Sequence, residues 1–525
     1  MRKNKFTSFI LLGLFAGVCA NPVYAKDEFD LVDEDQYNAN NAARHGRIAN
    51  IRLFDEQINA DAHLNGMWST SFDWPLYAIH SAVLPNKKVI TYGPIDSKSG
   101  RALNYNIWEP TSGNHSTLGI QTNTNVFCSA QNMLVNGKLL ITGGDKRPNG
   151  PGGSGIRKSS LYDPTEDKML NGGIMAKDRW YPTLTTMPDG RMLVHGGRIS
   201  KDEAAITPEI YNPTTNTFTQ LTSAESDDIY GIKTKGWYYP RTFVNSSGKA
   251  VFFKGNHDGI FELDVNANNG KGSLVEKSNT GGENFRFYYP SVEFEPGKVL
   301  TFKANKATQV INTNTYKART VASIPHERIW SDATILADGK VVVTGGATKR
   351  QKEENAVKSA DIYDPVADKW TVGASAENSR LYHSSAVLLA NGAVLIAGGG
   401  PPGPIYHKNA EIYYPPYLFT SSGDWATRPV ITSGPAEITH KRKVRINYSH
   451  NRAIKTVTML KLGSTTHSYD MGQWFKEVSF TTSNGVVSIS SGSRRKNEMR
   501  PGYYMVFLID DLGVPSEAHI LKVKL

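Results

Sequence analysis

Cysteine is almost absent from this sequence: only Cys19 and Cys128 occur among 525 residues. The first 25 residues combine basic residues, a short apolar segment and a Val23-Tyr24-Ala25 cleavage pattern, which predicts a signal peptide over 1–25. Cys128 is then the one cysteine of the mature chain, and a single thiol cannot form an intramolecular disulfide in an oxidising compartment. Taken alone, Cys128 is typical of a small buried hydrophobic residue.

Long apolar runs, charge blocks and hydrolase motifs are also missing after the leader. Without an apolar stretch of about 20 residues, no membrane span is predicted. The formal net charge of +10 includes three cations of the leader and is otherwise spread along the chain. Because the positive charge forms no block, the sequence has no nucleic-acid-binding motif and no nucleic-acid partner is expected. The net charge still allows weak attraction to an anionic cell-envelope polymer. No local motif offers paired carboxylates or a nucleophile with its base. We expect an exported monomer, periplasmic or secreted.

Glycine and aromatic residues are abundant, and they recur in one phrase. An aromatic or polar lead precedes an apolar strand, a glycine turn and a second apolar strand that often ends in Gly-Gly. Turn pairs such as Asp189-Gly190 and Asn391-Gly392 are typical of hairpins. The seven copies begin at Ile79, Phe127, Trp180, Tyr238, Tyr288, Trp330 and Tyr382. Units of four strands repeated about every 50 residues are typical of kelch blades. The sequence therefore predicts an all-β fold with a seven-bladed kelch-type β-propeller.

The repeat stops near Arg428. The following segment contains short alternating strands such as Val444-Arg445-Ile446-Asn447-Tyr448, which predict a C-terminal immunoglobulin-like β-sandwich. The predicted division is a signal peptide over 1–25, an N-terminal extension over 26–66, the propeller over 67–426 and the sandwich over 427–525.

Four reactive side chains occupy the leading position of their repeats. The first residues of the innermost strands of a propeller gather near one mouth of its channel, and Cys128, Tyr181, Tyr382 and His383 all lie there. Each alone is typical of core packing. Together they bring a thiol, two phenols and an imidazole around one axis, and imidazole with oxygen donors suits Cu(II). A bound cation would also favour phenolate over phenol.

Five longer phrases extend this pattern. They are Val126-Phe127-Cys128-Ser129-Ala130-Gln131, Arg179-Trp180-Tyr181-Pro182, Arg380-Leu381-Tyr382-His383-Ser384, Ser464-Thr465-Thr466-His467-Ser468, and Pro501-Gly502-Tyr503-Tyr504 with Gly513-Val514-Pro515-Ser516. In these phrases the chain resembles the copper radical oxidases, which include galactose oxidase, glyoxal oxidase and their bacterial relatives. The resemblance covers roughly Gly66 to Leu525.

This resemblance implies a site and a reaction. Cys128 would be joined by a thioether to Tyr181, which would be both copper ligand and radical carrier. His383 and His467 would be further ligands of the single copper ion, and Tyr382 the axial ligand and base. The enzyme would oxidise a primary alcohol or hydrated aldehyde, on a small molecule or a carbohydrate, and reduce O2 to H2O2. His467 is preferred over His440, His450 and His519 because of its Thr-Thr-His-Ser setting.

Two differences from galactose oxidase leave alternatives open. That enzyme stacks a tryptophan, placed just after the Gly-Gly of the tyrosine blade, on its cross-linked ring; here Arg198 takes this place. Trp237, Phe285 or Trp330 could cover Tyr181 instead. The carbohydrate-binding domain at the N-terminus of galactose oxidase is also missing, which favours the glyoxal-oxidase-like, bacterial branch. The alternative function is a non-catalytic kelch propeller that binds glycans or proteins of the cell envelope.

Overall fold

The computed structural model describes residues 57–96, 101–150, 152–281, 284–403, 405–439, 443–490 and 497–524. The predicted signal peptide and most of the predicted extension over 26–66 lie outside these residues. Strands dominate. The described helices are short, at Ala62–Asn65, Asp227–Tyr230 and Ala267–Gly270, with 3-10 turns at Thr222–Ala224, Glu353–Asn355 and Pro416–Leu418. Within these ranges, no helix has the length and apolar content needed to cross a membrane.

The region before the sandwich contains 28 described strands. They are β1 (Met67–Trp68), β2 (Phe72–Asp73), β3 (His80–Val83), β4 (Val89–Gly93), β5 (Asn104–Trp108), β6 (His115–Gly119), β7 (Ala130–Met133), β8 (Leu139–Thr142), β9 (Ile156–Asp163), β10 (Lys168–Thr186), β11 (Met192–Arg198), β12 (Glu209–Asn212), β13 (Thr217–Gln220), β14 (Arg241–Val244), β15 (Ala250–Phe253), β16 (Gly259–Asp264), β17 (Ser273–Asn279), β18 (Ser291–Glu295), β19 (Lys298–Phe302), β20 (Thr308–Asn312), β21 (Lys317–Thr320), β22 (Ile329–Ile335), β23 (Val341–Ala347), β24 (Ser359–Asp364), β25 (Lys369–Ser375), β26 (Ser384–Leu388), β27 (Val394–Gly398) and β28 (Asn409–Tyr414).

These strands form successive antiparallel sheets. Strands β14–β17, β18–β21 and β22–β25 make three four-stranded sheets, and β3–β6 form the core of another. Strands β7–β13 make one seven-stranded sheet, because the 19-residue β10 pairs with β9 through its first part and with β11 through its second. The last sheet, β26–β28, is extended at its outer edge by β1 and β2 from the start of the described chain.

The hairpins within the sheets follow the predicted turn chemistry. Gly190 and Gly392 have φ of 83° and 85°, in the left-handed region that glycine adopts without a Cβ clash. The strands that follow these turns, β11 and β27, are buried along their whole length. Such strands, covered on both faces, are built from continuous rather than alternating apolar residues.

Three buried pairs join an arginine, within β10 or just before β22 and β26, to a carboxylate on β12, β24 and β28. They are Arg179–Glu209 at 2.9 Å, Arg328–Asp361 at 2.9 Å and Arg380–Glu411 at 2.7 Å. Each guanidinium also donates to backbone carbonyls of its own sheet, such as that of Gly398 for Arg380. Tyr181 and Tyr382 lie two residues after Arg179 and Arg380. The pairs therefore fix the backbone that carries both tyrosines.

The C-terminal region adds eleven described strands. They are β29 (Val430–Ser433), β30 (Glu437–Thr439), β31 (Lys443–Ser449), β32 (Ile454–Lys461), β33 (Ser464–Thr466), β34 (Tyr469–Asp470), β35 (Phe475–Glu477), β36 (Phe480–Ser483), β37 (Val486–Ser490), β38 (Gly502–Asp510) and β39 (His519–Lys524). Sheets β29-β31-β37-β36 and β30-β39-β38-β32-β35 share an apolar core that includes Val457 and Leu508. Strands β33 and β34 leave this unit, because β33 pairs with β3 through His80 and Thr466. The C-terminal region thus inserts a hairpin among the inner strands.

Candidate metal centre

The leading residues of neighbouring repeats are joined through their backbones. The Tyr181 N–H donates to the Cys128 carbonyl at 3.0 Å, and the Tyr239 N–H donates to the Tyr181 carbonyl at 3.0 Å. Cys128, Tyr181 and His383 have φ of 58°, 67° and 70°, a conformation uncommon for residues with a side chain. The side chains of all three residues are buried.

His467 comes from the inserted hairpin. It lies between β33 and β34 with φ of 50°, and it is 1% exposed. The Arg241 side chain from β14 donates to its carbonyl at 3.3 Å and to the Phe287 carbonyl at 2.5 Å. Pairing with β3 on one side and Arg241 on the other holds the hairpin among the inner strands. A loop of the C-terminal region therefore reaches the inner strands of the preceding sheets.

The two histidines face each other through Nε2, with 2.9 Å between these atoms. His383 Nδ1 lies 3.0 Å from the Pro401 carbonyl oxygen, which can only accept, so Nδ1 carries the hydrogen of the neutral ring. His467 Nδ1 lies 2.6 Å from Thr466 Oγ1, whose hydroxyl donates to the Ile79 carbonyl at 3.1 Å. Nδ1 of His467 is therefore the donor as well. Both Nε2 atoms present lone pairs to each other, which is repulsive unless a cation lies between them.

A thiol and two phenols complete this cluster. Cys128 Sγ lies 3.5 Å from His467 Nε2, and the side chain of Tyr181 interacts with the same thiol. The hydroxyls of Tyr181 and Tyr382 are 3.0 Å apart. Within the described residues, Cys128, His383 and His467 form a group whose ligand atoms all lie within 4.8 Å of one another. All five residues singled out from the sequence thus meet in one place.

Burial sets the protonation states of the site. Loss of water lowers the pKa of His383 and His467 well below 6.5, and the neighbouring imidazoles lower it further. Both rings are neutral at neutral pH, as metal ligands must be. Burial raises the pKa of Tyr181 and Tyr382 well above 10, with the nearby thiol adding to the effect. A bound cation would act in the opposite direction and favour the phenolates. Two imidazole nitrogens with two phenol oxygens fit Cu(II).

Of the three aromatic residues considered from the sequence to cover the Tyr181 ring, only Trp237 lies near it. Trp237 lies 6.1 Å from Tyr181 between ring centroids. Trp330 instead packs edge-on against Tyr382 at 4.4 Å, and Phe285 stacks on Phe253 at 4.5 Å. The nearest rings are Trp180 at 4.0 Å and Tyr238 at 4.4 Å.

Three site residues were missed from the sequence. Tyr238 contacts both Tyr181 and the hydroxyl of Tyr382. Trp180 lies against the Cys128 thiol. His80 stacks on Tyr92 at 4.3 Å, and its ring lies edge-on to His467 at 5.8 Å. The sequence signal that could have identified these residues is their position at the start of the repeats.

The other C-terminal histidines have separate roles. His450 Nε2 lies 2.9 Å from an Asp510 carboxylate oxygen, and His519 Nε2 lies 2.8 Å from the Pro435 carbonyl. His440 lies outside the described residues. Trp474 is buried in the sandwich core, whereas the side-chain amide of Gln473 donates to the Ala333 carbonyl of β22 at 2.8 Å.

Comparisons with known proteins agree with this geometry. The family model "Glyoxal oxidase N-terminus" matches residues 102–279 and 280–418, and "Galactose oxidase-like, Early set domain" matches residues 428–523. Galactose oxidase of Gibberella zeae is 26% identical over 515 residues, covering 91% of this chain and 73% of its own. Aldehyde oxidase GLOX of Vitis pseudoreticulata is 25% identical over 448 residues, covering 76% of this chain and 82% of its own.

A solved structure shares the fold. It is described as a novel fungal alcohol oxidase in complex with copper, and it superposes with a TM-score of 0.78 at 21% identity, covering 88% of this chain and all of the other. The all-β fold with an early-set, immunoglobulin-like C-terminal domain is therefore confirmed. The chain belongs to the copper radical oxidase family of galactose and glyoxal oxidases.

Proposed function

We propose that this protein is an exported oxidase that holds one copper ion between Tyr181, Tyr382, His383 and His467. The observation that carries the proposal is the pair of Nε2 lone pairs 2.9 Å apart, next to two phenol oxygens 3.0 Å apart. A glycan- or protein-binding propeller would gain nothing from burying such a repulsive pair. Bound copper would supply Lewis acidity and one-electron redox chemistry.

The substrate proposed is a primary alcohol or a hydrated aldehyde, on a small molecule or a carbohydrate. The Tyr382 oxygen, in its deprotonated form, accepts the proton of the substrate hydroxyl. The adjacent Tyr238 hydroxyl lowers the pKa of Tyr382 and so favours the deprotonated form that can accept this proton. The oxidised ring of Tyr181 takes the hydrogen atom from the substrate carbon. Overall, the alcohol loses two electrons and two protons to O2, which gives an aldehyde and H2O2; a hydrated aldehyde gives the acid.

Cys128 and Tyr181 are proposed to form a thioether. The step removes the thiol hydrogen and one ring hydrogen, forms one C–S bond, and passes two electrons and two protons to O2. Trp180 and Tyr238 pack on the ring and keep water away from it. The tyrosine radical is thereby delocalised onto sulfur and shielded.

The fold is proposed to be a seven-bladed propeller. The succession of four-strand units supports this proposal. Two of the units share β10, and the last unit is completed at its outer edge by β1 and β2. The division at 26–66, 67–426 and 427–525, the export signal and the bacterial branch remain predictions.

Intact mass and thiol alkylation test the function. After copper loading under O2, the wild-type chain should be lighter by two hydrogens and its Cys128 should resist alkylation after denaturation. Cys128→Ser should show no loss of mass and has no thiol to alkylate, but it should keep most of its copper, because the serine leaves all four proposed ligands in place. Tyr181→Phe is the matched control, which keeps the thiol and should leave it open to alkylation. An alkylatable thiol in the copper-loaded wild type would refute the proposed cofactor.

Peroxide production tests the reaction. A coupled peroxide assay over alcohols, aldehydes and sugars should give turnover with copper and O2 and none with Tyr382→Phe. Glycan binding without peroxide formation by copper-loaded protein would favour the binding-module alternative.

A further inference from the structure

Arg198 stacks on two tryptophan rings next to Tyr181. Its guanidinium carbon lies 4.3 Å from the Trp180 ring centroid and 5.0 Å from the Trp237 ring centroid. Trp180 in turn lies 4.0 Å from the ring of Tyr181. The guanidinium is therefore separated from the Tyr181 ring by a single indole. From the sequence, Arg198 was noted only because it stands where galactose oxidase has the tryptophan that covers its cross-linked ring.

The backbone fixes this charge in one place. Arg198 and Trp180 are directly opposed residues of β11 and β10. The Arg198 Nε–H donates to the Gly153 carbonyl at 2.8 Å, and the side chain is almost fully buried. Gly153 has φ of 71°, and a Cβ there would lie 2.5 Å from an Arg198 nitrogen, so a glycine is needed for this approach. The Gly153 carbonyl on one side and the tryptophan rings on the other therefore hold the buried guanidinium at a fixed distance from the rings.

We propose that Arg198 raises the one-electron potential of the Tyr181–Cys128 pair through Trp180; this rests on the function proposed above. A cation over the face of an indole is attracted to its π electrons, and desolvation strengthens the attraction. Loss of one electron from the ring system weakens that attraction and adds repulsion between positive charges. The charge of Arg198 thus stabilises the reduced pair relative to the radical and makes the radical a stronger oxidant.

Trp180 is suited to transmit this effect. Its indole contacts the ring of Tyr181 and also lies against the Cys128 thiol. Both halves of the proposed cofactor therefore touch the ring on which the guanidinium stacks. The redox step concerned is the loss of one electron from the cross-linked phenolate to a dissolved one-electron mediator, with no bond broken. Arg198 is a tuning residue, since the Trp180 indole lies between its guanidinium and the Tyr181 ring.

The test is a redox titration of copper-loaded, cross-linked protein with mediators, followed by radical absorption and EPR. Arg198→Met removes the charge, and Arg198→Lys keeps it. At the wild-type midpoint potential, Arg198→Met should raise the ratio of radical to reduced cofactor at least threefold, and Arg198→Lys should change it by much less. Arg198→Gln is a second uncharged variant and should behave like Arg198→Met. In a Trp180→Phe background the effect of Arg198→Met should shrink, because the coupling passes through the indole.

Some results would overturn the proposal. Unchanged midpoints in both uncharged variants would refute it, and so would equal shifts in Arg198→Met and Arg198→Lys, which would point to packing rather than charge. Copper content and the mass loss of two hydrogens are measured on the same samples. A wild type without cross-link or radical contradicts the proposed function and this inference together. Cross-linked variants with an unchanged potential contradict the inference alone.

Discussion

Replacing Glu411 with glutamine should destabilise the last repeat and the site residues that it carries. Glu411 pairs with Arg380 at 2.7 Å, and the two side chains are 0% and 2% exposed. The other Glu411 oxygen accepts the N–H groups of Glu377 and Asn378. Glu411→Gln keeps the shape but removes the carboxylate charge opposite a buried guanidinium. Breaking such a pair costs about 3–5 kcal/mol, because the remaining charge stays desolvated.

A matched control is available on the surface. Glu295 and Lys298 are 2.8 Å apart, but their side chains are 50% and 44% exposed. Glu295→Gln should change the free energy of unfolding by at most about 1 kcal/mol, since water screens the pair. Denaturant unfolding of both variants, without copper, measures the contrast.

The same variant should also affect the metal centre. Tyr382 and His383 follow Arg380 by two and three residues, so a displaced Arg380 moves two of the proposed ligands. Copper content after dialysis should fall in Glu411→Gln and stay unchanged in Glu295→Gln. Equal unfolding free energies for the two variants would refute the view that buried pairs hold the site backbone.

Three further predictions address the site and its frame. Thr466→Val removes the acceptor that orients His467 and should weaken copper binding about 10- to 100-fold by competitive chelation, whereas Thr466→Ser keeps the hydroxyl and should bind normally. Burial lowers the pKa of His195 to about 3, so the unfolded chain takes up a proton at this residue at a higher pH than the folded chain does. Below pH 6.5 this difference lowers the free energy of unfolding by about 1.4 kcal/mol per pH unit, in addition to the share of the other buried histidines. In urea unfolding from pH 7 to 5, His195→Gln should reduce the pH slope by about this amount without abolishing it. Gly398 and Gly423 both have positive φ, so an alanine at Gly423 should lower the free energy of unfolding by roughly 1–2 kcal/mol. Gly398→Ala should lower it further, because a Cβ there would lie 2.6 Å from the Ala78 carbonyl oxygen and 3.0 Å from that of His383. Equal melting temperatures for the two variants would contradict this.

Local chemistry made much of the fold predictable. The Asp189-Gly190 and Asn391-Gly392 pairs each mark a turn with glycine at positive φ, and their flanking apolar runs are strands. The gathering of Cys128, Tyr181 and His383 followed from their equal place in the repeat. His467 was different, because nothing local to Thr466-His467-Ser468 says which sheet its hairpin joins. Its assignment depended on resemblance.

Other features depend on packing that no repeat pattern encodes. The fusion of two repeats through β10 follows from pairing on both of its edges along one unbroken strand. The rings that cover Tyr181 depend on rotamers, so Trp180 and Tyr238 were overlooked in favour of Trp237. Arg198 was read as a missing aromatic residue, whereas its register opposite Trp180 places a cation on that ring.

Four residues of the proposed site have a strained backbone conformation. Cys128, Tyr181, His383 and His467 all have positive φ, and none is a glycine, asparagine or aspartate. Each such residue costs roughly 1–3 kcal/mol and persists only where its surroundings hold it. Here the surroundings are visible as carbonyl–amide links between repeats, buried ion pairs two residues upstream, and Arg241 on the His467 carbonyl. Tyr239 and Trp330, at the start of other repeats, also have positive φ and are not glycine, so this conformation belongs to the repeat. At Cys128, Tyr181 and His383 the same conformation holds a thiol, a phenol and an imidazole in the cluster that His467 completes.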